Sequence, residues 1–147
     1  MKVYMDTSVL AVLTHFKNIE LDRYKSVSKL VGVCKSKGIE IVISFYALHE
    51  LFLLSFDYFD EKTARTIGKM SVTEILNIEG VELIELLSRK NRLLYQEQFN
   101  MNDRTDIPHA ISAFVEGCDS IITYDTHFDQ ISHLINVSTP ESFIDSI

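Results

Sequence analysis

A chain of 147 residues that is 46% hydrophobic and 10% aromatic, with five glycines and two prolines, has the composition of one packed domain and excludes a disordered chain. Its formal net charge of −7 offers no general basic face for a nucleic acid. That objection weakens if acids serve as metal ligands, because a bound cation reverses the local charge and setting four carboxylates aside leaves −3 of the −7.

In chain order, Val3 to Met5 reads as a short strand ending at Asp6, and Thr7 to Leu13 as the helix that follows. Leu21, Tyr24, Val27, Leu30, Val31 and Cys34 recur at helical spacing, and Gly38 supplies a stop. Ile39, Ile41, Val42 and Ile43 form a β-branched strand, after which Ser44 caps an apolar helix from Phe45 to Phe56. Asp57 to Asn77 is an amphipathic helix with Lys62, Arg65 and Lys69 at polar positions. Val81 to Leu86 fits strand or helix; Gly80 before it and Ser88 after it favour a strand, with a helix from Ser88 to Phe99 carrying Arg89, Lys90 and Arg92. Thr105 or Asp106 opens a helix through Glu116, with Pro108 in the first turn where its missing N–H does no harm. Gly117 ends that helix, and Ile121 to Tyr124 is a buried strand ending at Asp125. Ile135 to Val137 makes a last strand and Pro140 to Ile147 a terminal helical piece. Strands alternating with helices imply a single α/β domain over residues 1–147, in which a mainly parallel sheet has helices on both faces.

The stretch before Asp6 is too short to be a signal peptide, and the apolar run from Ile39 to Phe56 is interrupted by Glu40, His49 and Glu50, so no membrane span is expected. Cys34 and Cys118 have no metal-ligand spacing and read as small buried residues in a reducing compartment, which makes the cytoplasm the expected location.

The acids carry the functional reading. Asp6, Asp106 and Asp125 each precede a helical or turn segment, where Asp is a favoured cap. Asp6 and Asp125 also end apolar strands, and open α/β sheets bind ligands at the carboxyl ends of their strands. Glu50 lies mid-helix among Ala47, Leu48, Leu51 and Phe52, so it is expected to be paired with Tyr46 or His49, protonated, or bound to a metal. Four convergent carboxylates would repel one another unless a hard cation joined them, and Mg²⁺ or Mn²⁺ prefers such ligands. Asp103, one turn before Asp106, is a further candidate acid, whereas Asp129 reads as solvent-facing. His109, three residues after Asp106, could reach the same rim, though a packed core histidine is the ordinary reading, and His15, His127 and His133 show no zinc-ligand pattern.

Asp6-Thr7-Ser8-Val9-Leu10 resembles the opening motif of PIN-domain nucleases. Glu50, in an apolar helix after the second strand, is similar to their second acid. Asp106-Ile107-Pro108-His109-Ala110 resembles their third-acid helix, and Thr123-Tyr124-Asp125-Thr126-His127-Phe128 their closing Thr-x-Asp-x-x-Phe. The resemblance to the PIN-domain ribonuclease family, with its VapC-like toxin nucleases, spans essentially the whole chain. It implies a five-stranded parallel sheet in an α/β/α arrangement, frequent homodimers, and Mg²⁺- or Mn²⁺-dependent cleavage of RNA. It also suggests the toxin of a toxin–antitoxin pair, with an antitoxin protein as partner. The segment from Asp57 onward makes the stretch between the second and third acids rather long for the family.

On this reading Asp6, Glu50, Asp106 and Asp125 are the catalytic and metal-binding acids. Thr7, Ser8 and Thr123 supply hydroxyls that orient them, or are simple caps. Lys62, Arg65, Lys69, Arg89, Lys90, Arg92 and Arg104 are candidate RNA contacts, although such clusters are also ordinary solvated helix faces. Two alternatives stand beside it: a catalytically silent PIN-like module that binds RNA or protein, and a small-molecule phosphohydrolase. The second is disfavoured by Ser8, which stands where an Asp-x-Asp nucleophile motif would place its second acid.

Overall fold

Val3, Tyr4 and Met5 are apolar in succession, a pattern that suits a strand covered on both faces. In the computed structural model, which describes residues 1–147, they form β1 (Lys2–Met5) at the centre of the molecule. β1 pairs in parallel with β2 (Glu40–Ile43) on one side and β4 (Ser120–Ile122) on the other. β3 (Val81–Leu83) lies outside β2, and β5 (Asn136–Ser138) outside β4. All five strands are parallel, in the order β3-β2-β1-β4-β5. The chain therefore runs outward from β1 to β3 and then returns to the other side of β1. That reversal puts a switch point between β1 and β4, where the loops leaving neighbouring strands part and open a crevice.

Alternation along the strands separates two cores. Val3, Met5, Ile41, Ile43 and Ile122 pack with α1 (Thr7–Leu13), α2 (Leu21–Lys37), α3 (Phe45–Leu54), Ile75 of α4 (Glu61–Leu76) and Phe143 of α7 (Pro140–Ser146). Tyr4, Val42 and Ile121 point the other way, toward α6 (Ile107–Val115), Phe99, Met101 and the 3-10 segment Thr126–Ile131. The result is the expected α/β/α sandwich. The free thiols of Cys34 and Cys118 are buried, one in each core.

Local chemistry sets most boundaries. Gly38 adopts φ 64° and turns its N–H back to Cys34 and Lys35, a left-handed stop that a residue with a Cβ would strain. Ser44 caps α3 through the N–H of Ala47. Several elements are shorter than expected. α3 stops at Leu54 and passes into a 3-10 turn at Ser55–Asp57. α4 then starts only at Glu61, because Asp60 caps it through the N–H of Thr63. β3 has three residues, since it is an edge strand with little apolar cover. Ser88 caps α5 (Arg89–Tyr95) through Asn91, but the helix ends before the buried Phe99. β4 ends at Ile122, so Thr123, Tyr124 and Asp125 belong to the loop beyond it and not to the strand. No helix is long and apolar enough to cross a membrane.

Candidate functional site

Asp6 leaves β1 at the switch point and is 4% exposed. Three donors converge on its Oδ2: the Ser8 N–H at 3.1 Å, the Ser8 hydroxyl at 2.8 Å and the Thr123 hydroxyl at 2.9 Å. Ser8 Oγ also accepts the N–H of Tyr124, and Thr123 Oγ1 that of Asp125. The two hydroxyls thus fasten the end of β1 to the loop after β4 and aim the Asp6 carboxylate. Its other oxygen, Oδ1, faces His109 Nδ1 at 3.7 Å.

Glu50 reaches the same place from α3. Its Oε2 accepts the Thr7 hydroxyl at 2.7 Å, and its Oε1 lies 3.1 Å from His109 Nε2, off the axis of that ring N–H. Tyr46 and His49, the partners open to Glu50 if it were simply paired, are therefore not its partners. The side chain is 37% exposed, and its partners come from α1 and α6. Tyr46 instead packs against the His109 ring, and His49 stacks on Phe45.

Asp106 sits at the start of α6, yet its side chain makes no capping bond there. Its Oδ2 is buried and accepts no hydrogen bond. Asp125, by contrast, caps the 3-10 segment through the N–H of His127 at 2.8 Å. His127 Nδ1 lies 3.5 Å from Asp106 Oδ2 and 3.4 Å from Asp125 Oδ1. Asp103, whose Oδ1 is held by the N–H and hydroxyl of Thr105, joins them: Asp103, Asp106 and His127 offer ligand atoms all within 4.8 Å of one another.

No protein-family model matches the chain, and no curated protein matches it in sequence. Solved structures match its fold. VapBC2 from Rickettsia felis, bound to a DNA fragment from their promoter, aligns at 17% identity over 95% of this chain and 98% of that one, with a TM-score of 0.62. VapBC-1 from nontypeable Haemophilus influenzae aligns at 17% identity over 96% and 99%, with a TM-score of 0.58. VapC20 from Mycobacterium tuberculosis, a sarcin-ricin loop cleaving toxin, aligns at 15% identity over 87% and 93%, with a TM-score of 0.61. The chain has the PIN fold of the VapC proteins.

Within this PIN fold the acids perturb one another. Burial pushes the Asp106 carboxyl up to about 6, and Asp125, Asp103 and Asp6 add repulsion that His109 only partly offsets. Burial opposes charge on His109, but Glu50, Asp6 and Asp106 outweigh it and hold the imidazole above its ordinary value. Burial also raises Glu50, and the contacts from His109 and Thr7 reverse the effect and leave it low. The N–H and hydroxyl of Thr105 hold Asp103 low.

The expected cations separate into groups. Arg92 and Arg104 line one cleft of about 500 Å³ with Gln96, Glu97, Asn100 and Ile107, the residue next to Asp106. Arg89 and Lys90 are exposed on α5 outside that lining. Lys62, Arg65 and Lys69 are exposed on α4, which packs on α3; Arg65 pairs with Glu61, and Lys69 borders an apolar groove with Phe45, Phe52 and Leu76. Asp129 is exposed, as expected. Two histidines neighbour these acids. His109 is buried, but among carboxylates and not in an apolar core. His127 faces Asp106 and Asp125 despite lacking a ligand pattern in the sequence.

Proposed function

We propose that this protein is a divalent-metal-dependent endoribonuclease that hydrolyses RNA phosphodiester bonds, with Asp6, Glu50, Asp106 and Asp125 as its metal-binding and catalytic acids. The observation that carries the reading is Asp106 Oδ2, a buried carboxylate oxygen that accepts no hydrogen bond, in a carboxyl group that Asp125, Asp103 and Asp6 repel. Leaving such an oxygen unpaired costs about 1–3 kcal/mol or more, so a structural role alone explains it poorly. A hard cation fits it: the donor set is carboxylate-rich, suits Mg²⁺ or Mn²⁺, and needs that charge to offset mutual repulsion.

The roles follow from position. Ser8 and Thr123 orient Asp6, and Thr7 holds one oxygen of Glu50. Asp106 contributes its unpaired oxygen, and Asp125 completes the rim. When bound, the cation would activate water and neutralise charge on the scissile phosphate. Arg92 and Arg104 would hold flanking phosphates of a single strand in their cleft, which resolves the conflict with the acidic net charge by local placement. Lys62, Arg65, Lys69, Arg89 and Lys90 would add only long-range attraction.

The likeness to VapBC structures supports a toxin role with an antitoxin partner, and a homodimer is part of the same proposal. Phe56, Tyr58 and Phe59, exposed after α3, would lie in that dimer surface.

The test incubates purified protein with mixed single-stranded RNA and, separately, with a small phosphate monoester, in Mn²⁺, Mg²⁺ or EDTA. Asp6→Asn and Glu50→Gln variants run alongside. Metal-dependent cutting of RNA alone, lost in both variants, is the expected result. Turnover of the monoester alone would make the protein a phosphohydrolase, and RNA binding without cutting by any preparation would make it a silent module.

A further inference from the structure

Tyr4 is the β1 residue that points into the α6 layer, and its buried hydroxyl has two partners, Ser44 Oγ at 2.6 Å and His109 Nδ1 at 2.8 Å. Ser44 Oγ in turn accepts the N–H of Ala47 as the cap of α3. The far side of the same imidazole meets Glu50, with Nε2 at 3.1 Å from Oε1. A file of contacts therefore leaves α3 at its N-cap, crosses the end of β1, passes through α6 and returns to α3 at Glu50.

The file has a sense. An ionised carboxylate only accepts, and a lone pair on Nε2 facing it would be repelled, so Nε2 carries a proton. On the other side of the ring Nδ1 meets the Tyr4 hydroxyl, which can donate to a bare Nδ1 or accept from a protonated one, and Ser44 Oγ holds that hydroxyl in turn. In either state Tyr4 keeps the ring turned with Nε2 toward Glu50. His109 is 1% exposed and cannot swing away, whereas Glu50 is a long side chain at the rim with rotamers to choose among. A packed core histidine would need none of this geometry.

We infer that His109 is a positioning residue that, held by Tyr4, fixes the Glu50 carboxylate opposite the Thr7 hydroxyl for cation binding. The inference rests on Glu50 being a metal ligand. The experiment is a Mn²⁺ titration by calorimetry of the full chain as wild type, His109→Leu, His109→Gln and Tyr4→Phe, each also in a Glu50→Gln background, with circular dichroism as the check on folding.

His109→Leu is expected to weaken Mn²⁺ binding roughly 10–100-fold, the usual loss for a partner that orients a ligand. Tyr4→Phe is expected to weaken it less, and Gln at 109 to recover part of the loss, since its amide can still donate. With Glu50→Gln present, His109→Leu is expected to add nothing, because its effect runs through that carboxylate. Unchanged affinity in folded His109→Leu, or an equal loss in the Glu50→Gln background, overturns the inference while leaving the metal site standing. A His109→Leu variant that fails to fold passes the same criteria to Tyr4→Phe. Wild type that binds no Mn²⁺ overturns the inference and the metal reading together.

Discussion

Replacing Asp106 by Asn is expected to stabilise the metal-free protein at neutral pH. The carboxyl titrates near 6 in the folded chain because burial, then repulsion from Asp125, Asp103 and Asp6, disfavours its charge. Against an ordinary aspartate near about 3.9, that difference corresponds to about 3 kcal/mol. The side chain keeps 12% exposure and its neighbours can relax, so roughly 1–3 kcal/mol is the usable range, or a rise of roughly 2–10 °C in melting temperature. The sign follows from which state holds the proton. Above about 6 the folded carboxylate is charged and its cost is fully present; below about 3.9 both folded and unfolded chains are protonated and the cost is gone. Wild type should therefore gain on Asp106→Asn as pH falls through that window. Thermal melts of both proteins in EDTA between pH 4 and pH 8 read this difference directly. Adding Mn²⁺ at pH 7 should reverse the order, because a cation that binds only the folded wild type raises its melting point and not the variant's. An Asn variant that melts no higher than wild type at pH 7 in EDTA, or an advantage that persists unchanged at pH 4, refutes the reasoning.

Arg92→Glu and Arg104→Glu are expected to raise KM for RNA with kcat near wild type, and each to lower the salt dependence of binding by about 1, as measured by filter binding over a salt series. Mn²⁺ affinity should not change in either. Gly68→Ala places a Cβ 2.6 Å from the Phe52 ring and 2.9 Å from the Phe52 carbonyl oxygen, where α3 crosses α4. It is expected to cost about 1–3 kcal/mol by urea denaturation, and to weaken Mn²⁺ binding because α3 carries Glu50. Ser8→Ala removes a donor from Asp6 and the acceptor of the Tyr124 N–H, and should cost about 1–3 kcal/mol by the same measurement.

What was legible in the sequence is what local chemistry decides. The apolar run Val3–Met5, the stop at Gly38, the cap at Ser44 and Pro108 in the first turn of α6 each carry their own signature, and the strand–helix alternation follows from them. Asp6 and Asp125 could be placed at one edge because each follows an apolar strand of a parallel sheet, and Thr123 does tie the loop that carries Asp125 to Asp6. The ends of α3 and α5 were not legible, since Phe56 and Phe99 follow Phe52 and Tyr95 at i,i+4 spacing and carry the helical pattern past both ends. His109 was only half legible, as a histidine of the rim or of the core, for a related reason. Its neighbours in sequence are Pro108 and Ala110, apolar and buried, whereas its polar partners Tyr4 and Glu50 arrive from other layers. His127 likewise owes its place beside Asp106 to the loop after β4, whose path no spacing rule describes.

The most direct measurement of the central claim is an anomalous difference map from crystals soaked in Mn²⁺. The account expects a peak between Asp6, Glu50 and Asp106, at the carboxyl ends of β1 and β4, and none there in Asp6→Asn. No peak at that position in well-ordered wild-type crystals would contradict it and return these acids to caps and ion pairs.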